Sequence, residues 1–374
     1  MQKGVEDNNV LNKGVCIAMD VNTGAILAMV TTDGYDLNNP YELSAKDKKK
    51  IKSTSKKKQA EAESAALSNM WRNKAVADTY MPGSVFKMCV ASAALEENLV
   101  NEKTSFTCTG SISVEGETIH CSNISGHGTQ NFVEVISNSC NPAFIQIGQM
   151  LGAGKFRQYY QGFGFSDKTG IDLPGEAEDS FWKEGKMGGV DLAVASFGQN
   201  FTITPIQMIT ACAAVSNGGY VVQPHVVSKI TDSKGNVIKT VDKKIKRQVI
   251  SDDTSKKMNE YLEYNTERQG AAAGYISGYK VAGKTGTTEK RGVTKFESSF
   301  SEDYISSFCG YAPADDPQIA MLVFFDTPDG DAYYGSQVSS PVFINIMSEV
   351  LPYLDVKTSY TDEELGYVDR KSTR

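Results

Sequence analysis

Ser84-Val85-Phe86-Lys87, Ser139-Cys140-Asn141 and Lys284-Thr285-Gly286, in that order along the chain, hold the residue types of an acyl-transfer site that works without histidine. A serine hydroxyl is a poor nucleophile until a base removes its proton. Residues three apart on a helix share a face, so Lys87 can reach the Ser84 oxygen. To act as a base, Lys87 must be neutral for part of the time. Lowering a lysine from about 10.4 to roughly 7–8 disfavours its charged form by on the order of 3–5 kcal/mol. Burial and a second nearby cation supply such a shift, and Lys284 is the natural second cation. Ser139 then fits as a proton relay between Lys87 and a leaving group. The Asn141 amide would hold both Lys87 and a substrate carbonyl. Thr285 and Thr287 flank Gly286 on one strand face, where hydroxyls and the Lys284 charge can grip a terminal carboxylate. Two backbone donors complete the scheme as an oxyanion hole: Ser84 N–H at a helix start, and Thr287 N–H.

Each motif recurs, and context selects among the copies. Ser53-Thr54-Ser55-Lys56, Ser55-Lys56-Lys57-Lys58 and Ser277-Gly278-Tyr279-Lys280 also fit the first pattern, and Lys168-Thr169-Gly170 repeats the third. Ser84 follows Met81-Pro82-Gly83 and opens an apolar run through Leu95, which reads as a turn delivering the serine to a buried helix. The copies at 53 and 55 lie among lysines with nothing apolar to anchor a site. Lys284 follows Tyr279-Lys280-Val281-Ala282-Gly283, a short β-prone run whose small residues let a substrate approach. Lys168 has turn residues on both sides and comes too soon after Asn141 for an intervening subdomain. With three histidines (His120, His127 and His225) and no Gly-x-Ser-x-Gly elbow, a Ser-His-Asp hydrolase is excluded as the leading reading.

The ordered set resembles the penicillin-binding proteins and their serine β-lactamase relatives. Gly14 to Val30, Tyr35-Asp36-Leu37-Asn38-Asn39-Pro40, Asn73-Lys74-Ala75, Thr169 to Glu176, Ser196-Phe197-Gly198-Gln199 and Thr204-Pro205-Ile206-Gln207 are similar to the class B, monofunctional members. Among these the chain looks closest to Gram-positive elongation and sporulation types. Asn200 departs from the glycine that the family shows after Gly198-Gln199. The resemblance implies a D,D-transpeptidase that acylates Ser84 with a peptidoglycan stem peptide, releases D-Ala and passes the acyl group to an amine. β-Lactams would acylate the same serine. A serine β-lactamase or D,D-carboxypeptidase would share the site but transfer to water, and no Glu-x-x-Leu-Asn stretch supplies a deacylating carboxylate. A β-lactam sensor or scaffold is the remaining alternative. The family further implies a membrane location on the extracytoplasmic face, a membrane glycosyltransferase partner in the full-length protein, and no cofactor for catalysis.

The elements that must position these residues follow from composition and pattern. With 374 residues, 40% apolar and 22% charged, the chain can bury a large core, and a net charge of -7 argues against nucleic acid as a partner. The expected fold is α/β (α+β), a mainly antiparallel sheet flanked by helices with an inserted helical subdomain, and the resemblance implies that it is of the penicillin-binding and serine β-lactamase type. Residues 1–352 form this domain, with a Lys-rich loop at about 45–60, and 353–374 form a polar tail. No stretch reaches the roughly 20 apolar residues of a membrane span. The expectation is therefore a soluble truncation lacking an N-terminal anchor and pedestal. Residues 1–30 read as a hairpin turning at Asn22-Thr23-Gly24, 61–219 as mostly helical, and 220–250 as short strands. A charged loop follows Lys284 to Asp303. Next come strands at Tyr304–Tyr311 and Gln318–Phe325, then a last helix from Ser340 and Pro341 to Leu351. The tail from Asp355 reads as frayed.

Seven cysteines without a Cys-x-x-Cys argue against a simple disulfide framework. Cys16, Cys89, Cys212 and Cys309 sit in apolar runs and read as core thiols. Cys108, Cys121 and Cys140 fall near His127, and Val114-Glu115-Gly116-Glu117 looks like a turn returning Cys108 toward Cys121. Three thiols and an imidazole can close a tetrahedral structural zinc site. A Cys108–Cys121 disulfide and free thiols are the other two readings. His127 is preferred over His120 because adjacent His120 and Cys121 would point oppositely on a strand.

Overall fold

The computed structural model describes residues 1–32, 34–268, 275–290 and 303–360. The chain starts with α1 (Gln2–Asp7), β1 (Val10–Asp20), β2 (Ile26–Thr31), α2 (Ala45–Ser53), α3 (Gln59–Trp71), α4 (Lys74–Ala77) and α5 (Lys87–Glu96). Four short strands follow, β3 (Ser105–Cys108), β4 (Ser111–Val114), β5 (Glu117–His120) and β6 (Gly128–Asn131). Then come α6 (Phe132–Ser137), α7 (Asn141–Gly162), α8 (Gly189–Ala195) and α9 (Pro205–Ser216). β7 (Tyr220–Val222), β8 (Lys229–Thr231), β9 (Val237–Thr240) and β10 (Ile245–Gln248) lead to α10 (Asp252–Arg268). β11 (Ala282–Glu289), β12 (Tyr304–Ala312), β13 (Ile319–Pro328) and α11 (Gly335–Tyr353) complete it.

Two-residue alternation builds the central sheet. Along β1, Val15, Ile17 and Met19 join one hydrophobic cluster while Cys16 and Ala18 join another on the opposite face. A strand buried on both faces has to be apolar at successive positions, as this one is. The five strands run β11-β12-β13-β1-β2, antiparallel throughout, so the N-terminal hairpin docks beside the C-terminal one with Val15 opposite Phe324. α11 covers one face through Val338, Phe343, Met347 and Leu351. The helical half, centred on α5 and α9, covers the other. α5 is buried on every side from Lys87 to Leu95, as a helix apolar all round must be. The expected α+β fold with an antiparallel sheet is observed.

Several local expectations change. A helix, α1, precedes the hairpin instead of strand, and four strands interrupt the segment expected to be mostly helical. The last helix begins at Gly335, not at Ser340, so Pro341 lies inside it. Residues 356–360 are docked rather than frayed: Tyr279 Oη donates to Val356 O at 2.9 Å, and Ser359 N–H donates to Gly278 O at 2.8 Å. Residues 291–302 of the charged loop and 361–374 of the tail lie outside the described residues. The Lys-rich stretch is helical and exposed, with no buried residue in α2. Among the described residues no helix is long and apolar enough to cross a membrane.

Candidate active site

Ser84 sits in a 3-10 turn (Gly83–Phe86) that runs directly into α5, so the nucleophile candidate and Lys87 occupy consecutive turns of one buried rod. Gly83 has φ +59°, and a Cβ there would lie 1.9 Å from Thr288 Oγ1. Glycine is therefore required for the serine turn to touch β11. Gly83 N–H also donates to Gly198 O at 2.8 Å, which ties the turn to the Ser196–Asn200 loop. Asn200, where the resemblance led to an expectation of glycine, adopts φ +64°. Asparagine tolerates that left-handed region, so the departure keeps the backbone shape.

Ser139 owes its position to how α6 ends. Its N–H donates to Ile136 O and the Cys140 N–H to Val135 O, both at 3.2 Å, while Ser139 itself has φ +51°. This is a Schellman turn with serine where glycine is the usual occupant. A left-handed non-glycine residue costs roughly 1–2 kcal/mol, and such strain gathers at functional sites. Cys140 then caps α7, and Asn141 is its first residue.

Lys87 Nζ donates to Ser139 O at 2.7 Å and Asn141 Oδ1 at 2.7 Å, and lies 3.1 Å from Ser139 Oγ. Asn141 Nδ2 in turn donates to His120 O at 3.3 Å, which fixes the amide with its oxygen toward the lysine. Burial, then the Lys284 charge, hold Lys87 well below the ordinary lysine range, while the Cys121 and Cys140 thiols pull the other way. Burial alone lowers Lys284 to about 7. A neutral Lys87 has two protons to donate, matched by the two closest oxygens, and one lone pair left for a hydroxyl proton. Ser84 Oγ makes no hydrogen bond with any described residue.

β11 is an edge strand, and its register decides which of its groups face the cleft. Lys290 N–H donates to Asp303 O at 2.8 Å, so in the unbroken ladder 288–305 and 286–307 are hydrogen-bonded pairs. Thr285 and Thr287 are non-hydrogen-bonded positions, and their backbone N–H groups point out from the sheet edge. The cleft, about 230 Å³, is lined by Ser84, Ser139, Asn141, Thr285 and Thr287 together with Gly83, Ser122, Phe197, Gln199, Tyr334, Gly335 and Ser336. Ser122 and the residues at 334–336 carry no local sequence signal, while Phe197 and Gln199 lie in a segment already similar to the family. Lys87 and Lys284 lie beneath this surface, 1% and 0% exposed. Two larger cavities, about 540 and 940 Å³, flank Lys13 and Lys50 and contain none of the motif residues. The second Lys-Thr-Gly is structural: Thr169 N–H and Oγ1 both bond Glu176 Oε1, and Lys168 is an exposed partner of Glu178.

The cysteine cluster lies directly behind Asn141. β3 pairs with β6 and sets Cys108 opposite Gly128, beside His127. The β4–β5 hairpin returns Cys121, whose N–H bonds Gly110 O at 2.8 Å. The ligand atoms of Cys108, Cys121, His127 and Cys140 all lie within 4.8 Å of one another. His120 is exposed while Cys121 is buried. A hydrogen bond from Cys140 pulls the Cys121 thiol below the ordinary thiol range and pushes the Cys140 thiol up. All seven cysteines are free thiols in the structure. Tetrahedral zinc with Zn–S near 2.3 Å would hold its sulfurs about 3.7 Å apart, so the cluster fits after closing by roughly 1 Å.

The penicillin binding protein transpeptidase domain matches residues 14–348. The chain belongs to the penicillin-binding protein transpeptidase family. It is 39% identical over 300 residues to stage V sporulation protein D of Bacillus subtilis (strain 168), covering 79% of this chain and 46% of that protein. It is 26% identical over 349 residues to the peptidoglycan D,D-transpeptidase FtsI of Escherichia coli (strain K12), covering 93% of this chain and 53% of that one. The chain thus spans about half the length of these curated relatives. The transpeptidase domain of Burkholderia pseudomallei penicillin-binding protein 3 shares the fold, with a TM-score of 0.73 and 23% identity, over 96% of this chain and 93% of that one.

Proposed function

We propose that this transpeptidase-family chain cross-links peptidoglycan stem peptides through an acyl-enzyme on Ser84. The observation that carries the reading is the Lys87 amine, bonded to Ser139 and Asn141 and depressed by burial and then by the Lys284 charge, one helical turn beyond a serine that opens onto the cleft. Lys87 takes the Ser84 proton as Oγ attacks the penultimate D-Ala carbonyl. Ser84 N–H and the outward Thr287 N–H receive the developing oxyanion. The proton on Lys87 passes through the Ser139 hydroxyl to the nitrogen of the departing D-Ala. An acceptor amine then attacks the ester, its proton returns by the same path, and Ser84 is freed. Thr285, Thr287 and the Lys284 charge hold the terminal carboxylate, and Gly286 lets the peptide backbone lie close to β11.

β-Lactams present the same carbonyl and carboxylate, and so acylate Ser84 too. The reading extends to a full-length protein at the extracytoplasmic face of the cell membrane, working with a membrane glycosyltransferase. Residues 1–352 act as one transpeptidase unit. Cys108, Cys121, His127 and Cys140 hold a structural zinc ion that braces the Ser139–Asn141 turn, with no part in the serine chemistry. Intact-mass spectrometry with a penicillin tests the assignment: one adduct on the wild type and none on Ser84→Ala is expected. No adduct on the wild type, or an equal adduct on the variant, ends it.

A further inference from the structure

Thr285 and Thr287 lie on the same face of β11, yet their hydroxyls have different surroundings. Thr287 Oγ1 receives a hydrogen bond at 3.0 Å from the Gly335 N–H, the first amide of α11. A backbone N–H can only donate, so Thr287 is the acceptor here and keeps its own proton for the cleft. The Thr285 hydroxyl makes no hydrogen bond with any described residue and is free to turn either way. The amide at Gly335 is one of the N-terminal donors that the helix itself cannot satisfy, and it carries the positive end of a 19-residue helix. Its bond therefore strengthens Thr287 as a donor.

This contact depends on the absence of a side chain at 335. A Cβ there would lie 2.4 Å from Gly286 O and 2.5 Å from Ser307 O. Both are backbone atoms of a hydrogen-bonded pair joining β11 to β12, so neither can move without opening the ladder. The φ of Gly335 is not in the left-handed region, so the requirement is for space, not for an unusual backbone angle. Even one methyl group would lift the start of α11 off the strand and break the bond to Thr287.

We propose that Gly335 is a positioning residue for substrate specificity: its amide makes Thr287 a fixed donor and thereby selects ligands ending in an ionised carboxylate over neutral ones. The inference rests on the transpeptidase reading, because it concerns how that site holds its acyl donor. A carboxylate only accepts, and it accepts strongly from an oriented hydroxyl. An ester at the same place is a weaker acceptor and loses most of the advantage.

Acylation rate constants for benzylpenicillin and for its methyl ester read this directly. Gly335→Ala is expected to slow acylation by benzylpenicillin about tenfold to a hundredfold, the range for one hydrogen bond to a charged group, while changing the ester little. Thr287→Val should give the same collapse of the acid-to-ester ratio, Thr287→Ser should preserve it, and the Gly335→Ala/Thr287→Val pair should lose no more than Thr287→Val alone. Equal slowing of both ligands by Gly335→Ala, or additive losses in the pair, would make Gly335 a packing residue only and overturn the proposal. Should Gly335→Ala not fold, amide exchange at Gly335 decides. It must quicken in Thr287→Val, and unchanged exchange refutes the bond. A wild type acylated at Ser84 by neither ligand brings down the transpeptidase reading itself, an outcome separate from a wild type that is acylated while Gly335→Ala keeps its acid-to-ester ratio.

Discussion

Two lysines buried within one site set the chemistry at the scale of single residues, and they respond to pH in opposite ways as regards function. In the proposed mechanism Lys87 works when neutral, whereas Lys284 works when charged. Burial lowers both, and the Lys284 charge adds to the depression of Lys87. Lys284 sits at about 7 in the fold against 10.5 for the ordinary group. Between those values the unfolded chain holds a proton that the folded chain does not, so stability rises with pH there. Below about pH 7 both states are protonated and the folded state bears the full cost of a buried charge. Lys284→Met removes that cost, so it is expected to raise the melting temperature by at least about 2 °C at pH 6 and by progressively less toward pH 10. It should also slow penicillin acylation about a hundredfold or more. Melting curves at both pH values check the first half. An equal gain at pH 6 and pH 10 would falsify the view that the Lys284 charge is what the fold pays for. The motifs themselves were legible because each spans at most four consecutive residues of the chain. The pairing of Thr287 with Gly335 was not, since 48 residues separate the two and a glycine near a helix start reads as punctuation.

At the scale of elements, the α6–α7 junction shows why a three-residue motif needs its surroundings. Ser139 is held left-handed by two backbone hydrogen bonds, and Asn141 is aimed by a carbonyl at the end of β5. Neither constraint is strong alone. The three thiols and His127 lie against the same junction, drawn from β3, the β5–β6 connection and the N-cap of α7. Convergence of residues spread over 33 positions of sequence is what a structural metal site achieves, and zinc binding supplies folding free energy to the segments it joins. Purified protein is expected to carry about one zinc per chain. Stripping it with a chelator should lower the melting temperature and slow acylation at least tenfold, with recovery on adding zinc. Less than about 0.1 zinc per chain, or acylation indifferent to chelation, would remove the metal from the account. Spacing around the Glu115-Gly116 turn made this cluster readable in advance. The start of α11 was not readable, because Pro341 resembles a first-turn proline and Gly335 a breaker. Close approach to β11, a tertiary demand, overrode both local signals.

At the scale of the molecule, docking the first hairpin beside the last is invisible to local pattern, since Val15 and Phe324 are partners across almost the whole chain. That docking makes β11 the sheet edge and leaves Thr285 and Thr287 facing an open cleft, where a donor peptide can lie along the strand and an acceptor can enter opposite. The fate of the acyl group then depends on what else lines that space. Hydrolysis needs a base to activate water, and general-base assistance is worth roughly 10²–10⁴ in rate. Among the described residues lining the cleft there is no carboxylate: Ser122, Asn141, Phe197, Gln199, Tyr334 and Ser336 complete its walls around the motif residues. Water arriving at the Ser84 ester should therefore find no carboxylate to activate it, while an amine, nucleophilic on its own, still reacts. A penicillin adduct on Ser84 is expected to persist for hours after free drug is removed. Its mass should fall only slowly in a time course at pH 7.5. Turnover within seconds would mean that some group does deliver water to the ester, and would move the chain from the transferring to the hydrolysing branch of its family.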